Sequence, residues 1–141
     1  MIATIALSLA MVFACFFIHY EALRLLTHAT VRSRSRSRVV LALAMTGIVA
    51  VHIFEIALFG AAFFASVRIF QLGSFVETRS MVPADYFYYA AETYSSLGYG
   101  DIYPLGDIRL LASITPLIGI LLLGWSGAFL FSLVQIDRED R

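Results

Sequence analysis

The sequence predicts an all-α integral membrane protein, built from three transmembrane helices plus a short re-entrant helix and loop. Three observations carry that expectation. The chain is 60% hydrophobic and 14% charged over 141 residues, and its mean hydropathy is +0.85, far from the balance of a soluble domain. Three apolar runs each reach the ~20 residues that a helix needs to cross a bilayer. All ten basic residues are arginine, and five of them crowd between Arg24 and Arg38, although the formal net charge is zero.

The first span runs from about Ile2 to Tyr20. It has no positive leading region and no small-residue cleavage site, so it is read as retained rather than as a signal peptide. Cys15 lies inside it and is expected to be an inert packing residue. His19 and Glu21 close the span as interfacial residues. The connection that follows carries Arg24, Arg32, Arg34, Arg36 and Arg38, which marks it as cytoplasmic. Residues 1–38 thus form one helix and a basic loop. From Arg32 to Arg38 the arginines recur every second residue, whereas a voltage-sensing helix needs one every third. The pattern suits contact with anionic lipid headgroups, worth about 1 kcal/mol per Arg near the surface.

The second span covers 39–67, longer than a perpendicular helix requires, so it should tilt or project. His52 and Glu55 lie one turn apart within it and share a face. Ionisable groups at membrane depth are costly and default to functional candidates. A scaffold role, hydrogen-bonding the re-entrant helix or a neighbouring subunit, is favoured here over pH sensing. Residues 70–107 are too polar and Gly-rich to cross. Pro83 and Asp85 suit a first helical turn, which starts a short helix over 84–95. The third span covers 108–136. Pro116 should bend it, and Gly119 and Gly124 offer further points of flexure. Ser126 and Gly127 suit close helix packing, and Trp125 is read as a packing residue. Residues 137–141 form a short charged tail. The arginines place that tail inside and the N-terminus outside, with Arg68 and Arg79 on the outer face.

Between the short helix and the third span stands Ser95-Ser96-Leu97-Gly98-Tyr99-Gly100-Asp101. A Gly-Tyr-Gly triplet lets alternate residues adopt backbone angles closed to residues with a Cβ. Consecutive carbonyls can then face one side as a column of oxygens, which is what a dehydrated alkali cation needs. The segment resembles the selectivity filter of potassium channels, usually Thr-Val-Gly-Tyr-Gly, with Ser96 for Thr and Leu97 for Val. The resemblance extends over 39–136 as outer helix, pore helix, filter (96–100) and inner helix. Ala91-Glu92-Thr93 and Asp101-Ile102-Tyr103-Pro104 are similar to the flanks of simple bacterial members. It implies K⁺ held by Ser96, Leu97, Gly98 and Tyr99 and a homotetramer around one ion path; the small size suggests a plasma (inner) membrane location. It further implies that Glu92 and Asp101 meet behind the filter and share a proton, that Tyr89 donates to Asp101, and that Pro116, Gly119 or Gly124 is the gating hinge. The first span has no counterpart in the two-helix module.

No catalytic constellation, phosphate loop or nucleic-acid patch is present, so the chain is not read as an enzyme, and no cofactor beyond the permeant K⁺ is expected. The three histidines, one cysteine and scattered carboxylates show no metal-ligand spacing. Two other functions fit the same residues. One is a weakly selective cation channel in which Leu97 loosens the filter. The other is a non-conducting, channel-like regulatory subunit.

Overall fold

The first helix turns its polar side chains inward and large apolar ones outward. Thr4, Ser8, Cys15 and His19 are buried while Leu9, Phe13 and Phe17 are exposed. A lipid-facing protein requires this inversion, because hydrocarbon welcomes apolar side chains and satisfies no polar ones. The computed structural model describes residues 1–32, 38–77 and 80–139, with the side chains of 31, 32, 38 and 136–139 outside the description. In order come α1 (Ile2–Arg32), α2 (Arg38–Arg68), β1 (Gly73–Val76), α3 (Pro83–Tyr94), β2 (Tyr103–Gly106) and α4 (Ile108–Glu139). Three of the helices are long and apolar enough to span a membrane, so this is an all-α, multi-pass membrane protein.

Helix α1 continues past Tyr20, where the sequence suggested a loop, as far as Arg32. Nothing in residues 21–32 breaks a helix: there is no Gly or Pro. Glu21 pairs with Arg24 at 2.7 Å, and the Thr27 hydroxyl donates to the Leu23 carbonyl at 2.8 Å. At 31 residues the helix is about 46 Å long, well beyond the ~30 Å hydrocarbon core. The lipid contacts expected of Arg34 and Arg36, and of the Arg32 and Arg38 side chains, lie outside the described residues, as do Arg79 and the end of the tail.

A two-stranded ribbon was not foreseen. β1 and β2 pair antiparallel, with Gly73 opposite Gly106 and Val76 opposite Tyr103. The ribbon clasps the ends of the re-entrant segment. The Asp107 amide donates to the Leu72 carbonyl at 3.0 Å, so the exit of α2 is tied to the start of α4. The Met1 amino group pairs with Asp107, which puts the start of α1 on that same face.

Helix α3 is inserted between α2 and α4, and α1 packs on α2 and α4. Asp85 caps its N-terminus by accepting from the Val82 amide at 2.8 Å, with Pro83 in the first turn. Arg68, at the end of α2, donates to the Tyr86 hydroxyl and the Met81 carbonyl, each at 3.2 Å. Tyr86, Tyr89 and Ala90 face inward with Phe63 and Phe75. The approach of α4 to α3 is closest at Gly119, where an added Cβ would lie 1.9 Å from the Tyr94 carbonyl oxygen. Gly119 is therefore required for packing, whatever it does as a hinge. Gly124 faces open space within the chain. Pro116 lies inside α4 and leaves one helical carbonyl without its donor.

This contrast gives a direct expectation. Gly119→Ala should destabilise the protein by about 1–3 kcal/mol through overpacking, read as a lowered midpoint in thermal unfolding of the detergent-solubilised protein. Gly124→Ala should leave that midpoint nearly unchanged. Equal effects would remove the packing role assigned to Gly119.

Candidate functional site

The end of α3 determines the loop that follows. Ser95 caps the helix, and Ser96 then adopts a left-handed backbone with φ 60°. The Ser96 amide donates to the Thr93 carbonyl at 3.0 Å and the Leu97 amide to the Glu92 carbonyl at 2.8 Å. This pair of bonds is the Schellman ending, usually built on glycine. Ser96 takes that place at a cost of about 1–2 kcal/mol. Positive φ then recurs at Gly98 (55°) and Gly100 (78°), so every second residue from 96 to 100 is left-handed.

The consequence is visible in the amides. Three consecutive N–H groups turn to one residue: Leu97 and Gly98 donate to the Glu92 carbonyl at 2.8 and 3.2 Å, and Tyr99 donates to Glu92 Oε2 at 3.0 Å. In an ordinary strand successive amides alternate sides. Here they share one side, and among the described residues none of the carbonyls of 96–100 accepts a hydrogen bond. Leu97 and Tyr99 are 58% and 67% exposed, so the loop lies at the surface of the single chain.

Two expected contacts are corrected. Glu92 and Asp101 form no hydrogen bond with each other; Glu92 Oε2 accepts instead from the Tyr99 amide. Asp101 is instead approached by the Tyr88 hydroxyl, at 3.2 and 3.3 Å from its two oxygens. Tyr88, not Tyr89, therefore serves Asp101, and helical phase explains the exchange. Tyr89 follows Tyr86 by three residues on the inward stripe, with its ring 4.6 Å from Phe75 and 5.0 Å from Phe63. Tyr88 falls outside that stripe and stacks on Tyr99 at 6.4 Å. Burial pushes the Glu92 carboxyl above its ordinary value of 4.5, against the Tyr99 amide, and the nearby Asp101 charge adds to the rise.

Below the loop lies a second polar group, which spacing in the sequence did not bring together. Glu55 Oε1 lies 3.0 Å from His19 Nδ1, and His19 Nε2 is 3.1 Å from Ser126 Oγ. Ser126 Oγ is 3.0 Å from His52 Nε2, and His52 Nδ1 is 2.8 Å from the Tyr94 hydroxyl. The Tyr94 hydroxyl closes the ring by donating to Glu55 Oε2 at 2.6 Å. All five residues are buried. His19, read from the sequence as interfacial, is fully enclosed, and the Trp125 ring packs 5.6 Å from it. His52 and Glu55 meet the re-entrant helix at Tyr94 and the extra helix at His19.

A family model described as "Ion channel" matches residues 38–135, which takes in α2, the ribbon, α3, the loop and most of α4. No significant match to a curated protein or to a solved structure was found.

The Glu92 geometry carries a pH dependence with a definite sign. A carboxyl raised in the folded state binds its proton more tightly there than in the unfolded chain, so folding is favoured at low pH. Its contribution to stability should fall as pH rises from 4.5 through the raised value. Glu92→Gln keeps an oxygen for the Tyr99 amide and does not titrate. It should flatten that part of the pH profile of thermal stability, and a profile identical to that of the parent would overturn the assignment.

Proposed function

The chain belongs to the pore-loop ion-channel family, and on that premise we propose that it is the pore-forming subunit of a potassium-selective homotetramer conducting K⁺ passively across the membrane. The observation that carries the reading is the convergence of the Leu97, Gly98 and Tyr99 amides on Glu92. With the amides held on the pore-helix side, the carbonyls of Ser96, Leu97, Gly98 and Tyr99 are left to replace the water around a dehydrated cation.

One such loop covers one side of an ion path, and its exposure on the single chain suits closure by four copies around an axis. K⁺ enters by exchanging water for successive carbonyls, with the Ser96 hydroxyl at the inner end. Repulsion between ions at neighbouring sites keeps them moving. The C-terminal ends of the four α3 helices would add a favourable field for a cation in the cavity below. Tyr88 and Asp101 brace the outer end of the loop. The hinge of α4 falls among Pro116, Gly119 and Gly124, with Gly119 restrained by its contact with Tyr94. The arginine bias supports an orientation with the N-terminus outside and the C-terminus in the cytoplasm, in the plasma (inner) membrane. Arg32, Arg34, Arg36 and Arg38 would meet anionic headgroups there.

Flux through the purified protein in liposomes tests the reading. A K⁺ gradient should drive flux well above that of Na⁺. Gly98→Ala should abolish it, since φ 55° disfavours a side chain. Equal K⁺ and Na⁺ flux would instead make the protein a weakly selective cation channel, and no flux in folded tetramers would leave a silent subunit.

A further inference from the structure

The buried ring converges more donors on one point than a hydrogen-bonded scaffold needs. His19, His52 and Glu55 each present one ligating atom, and those atoms lie within 4.8 Å of one another. We propose that this cluster binds a first-row divalent transition metal, with Zn²⁺ as its best-suited occupant, held by His19 Nδ1, His52 Nδ1, the Glu55 carboxylate and the Tyr94 phenol oxygen.

The donor spacing supports four-coordinate binding. Tetrahedral Zn²⁺ with N and O ligands at 2.0–2.2 Å places donor pairs about 3.3 Å apart. Glu55 Oε2 lies 3.3 Å from His52 Nδ1 and Glu55 Oε1 lies 3.0 Å from His19 Nδ1, so each imidazole already stands near that spacing from one carboxylate oxygen, and the cluster would close from its 4.8 Å span around the ion. Tyr94 is 2.8 Å from His52 Nδ1 and would open toward the same spacing. The outer shell is already built. Both Nε2 atoms point at Ser126 Oγ, at 3.0 and 3.1 Å, and its two lone pairs can accept both N–H groups. That arrangement leaves the Nδ1 lone pairs directed at the metal, and ligating histidines are generally oriented in this way. Two imidazoles and one carboxylate select against Mg²⁺ and Ca²⁺, which want oxygen.

Charge also balances. A dication held by the Glu55 carboxylate and a Tyr94 phenolate is uncharged, as the membrane interior requires, with the phenol proton released to solvent and each imidazole keeping a proton on Nε2 toward Ser126. A groove between α1 and α4, lined by Tyr20, Arg24, Thr27, His28 and Trp125, ends at the Trp125 ring, which separates it from His19 and would have to move to admit an ion from that side. Because His19 belongs to α1, the ion would fasten the extra helix to the pore module.

The test titrates the full-length protein, stripped with chelator in detergent, with Co²⁺ alone. The wild type should show the visible bands of tetrahedral Co²⁺, saturating at one ion per chain, displaced by Zn²⁺ and not by Mg²⁺. His19→Gln and His52→Gln should abolish them, and His28→Ala should not. Ser126→Ala keeps every ligand and should weaken binding roughly 10–100-fold; it decides the matter if a ligand variant does not fold. No bands in folded wild-type protein, bands that survive both histidine variants, or unchanged affinity in Ser126→Ala would each overturn the site. None of these readouts depends on ion flux, so the outcome is independent of whether the pore conducts.

Discussion

Hydrocarbon offers no hydrogen bonds, and a polar group placed at membrane depth must find its partner within the protein. In this chain the demand is concentrated in the ring of Glu55, His19, Ser126, His52 and Tyr94. Each helix contributes: α1 through His19, α2 through His52 and Glu55, α3 through Tyr94 and α4 through Ser126. Removing one partner leaves a buried donor or acceptor unpaired, a loss of about 1–3 kcal/mol, and neighbouring bonds weaken with it. The arrangement of the four helices satisfies this requirement together with close packing of the buried apolar cluster that joins them. Lipid can solvate apolar surface on any one helix, whereas the polar stripe has partners only where the helices meet.

Tyr94 transmits that constraint to the loop. Its side chain belongs to the ring, and its carbonyl oxygen sits where any Cβ at Gly119 would collide. The last residue of α3 is thus fixed from both sides, by hydrogen bonds below and by backbone contact beside it. Two residues later the left-handed turn at Ser96 begins, and two turns of helix earlier Arg68 holds Tyr86. The loop therefore starts from a fixed point. Its direction is determined by Glu92, whose carbonyl and carboxylate together take three consecutive amides. A residue that engages the loop through both main chain and side chain leaves the filter backbone little freedom to rotate its carbonyls away.

Much of this was legible from the sequence. The long apolar runs at α2 and α4 announced themselves, and the triplet Gly98-Tyr99-Gly100 pointed to the alternating backbone. Glu92 was recognised as a support, though its partner is the Tyr99 amide rather than Asp101. What escaped has a physical pattern. The 36 residues between His19 and Glu55, and the 107 between His19 and Ser126, leave no local trace, so the ring and its metal-ligating potential were invisible to spacing. The ribbon strands are four residues each and far apart in sequence, below the length at which alternation can be read. The exchange of Tyr88 for Tyr89 turns on the phase of one short helix, which the apolar stripe of Tyr86, Tyr89 and Ala90 does encode once Phe75 is known to lie opposite.

The family match begins at residue 38 and leaves α1 outside, which invites treating the first helix as an appendage. The polar ring argues otherwise. Without His19, Glu55 Oε1 would lose its hydrogen bond and Ser126 one of its two imidazole partners, while Tyr94 and His52 would still hold Glu55 Oε2. The two-helix module of this chain holds one oxygen of its buried acid through Tyr94 and His52, and α1 completes the set by bringing His19 to the other. A histidine and a glutamate on separate helices then satisfy one another at membrane depth, where an unpaired polar atom is costly. On this view α1 and the pore module are a single folding unit, and the polar groups inside α2 and α4 persist because the first helix is present to meet them.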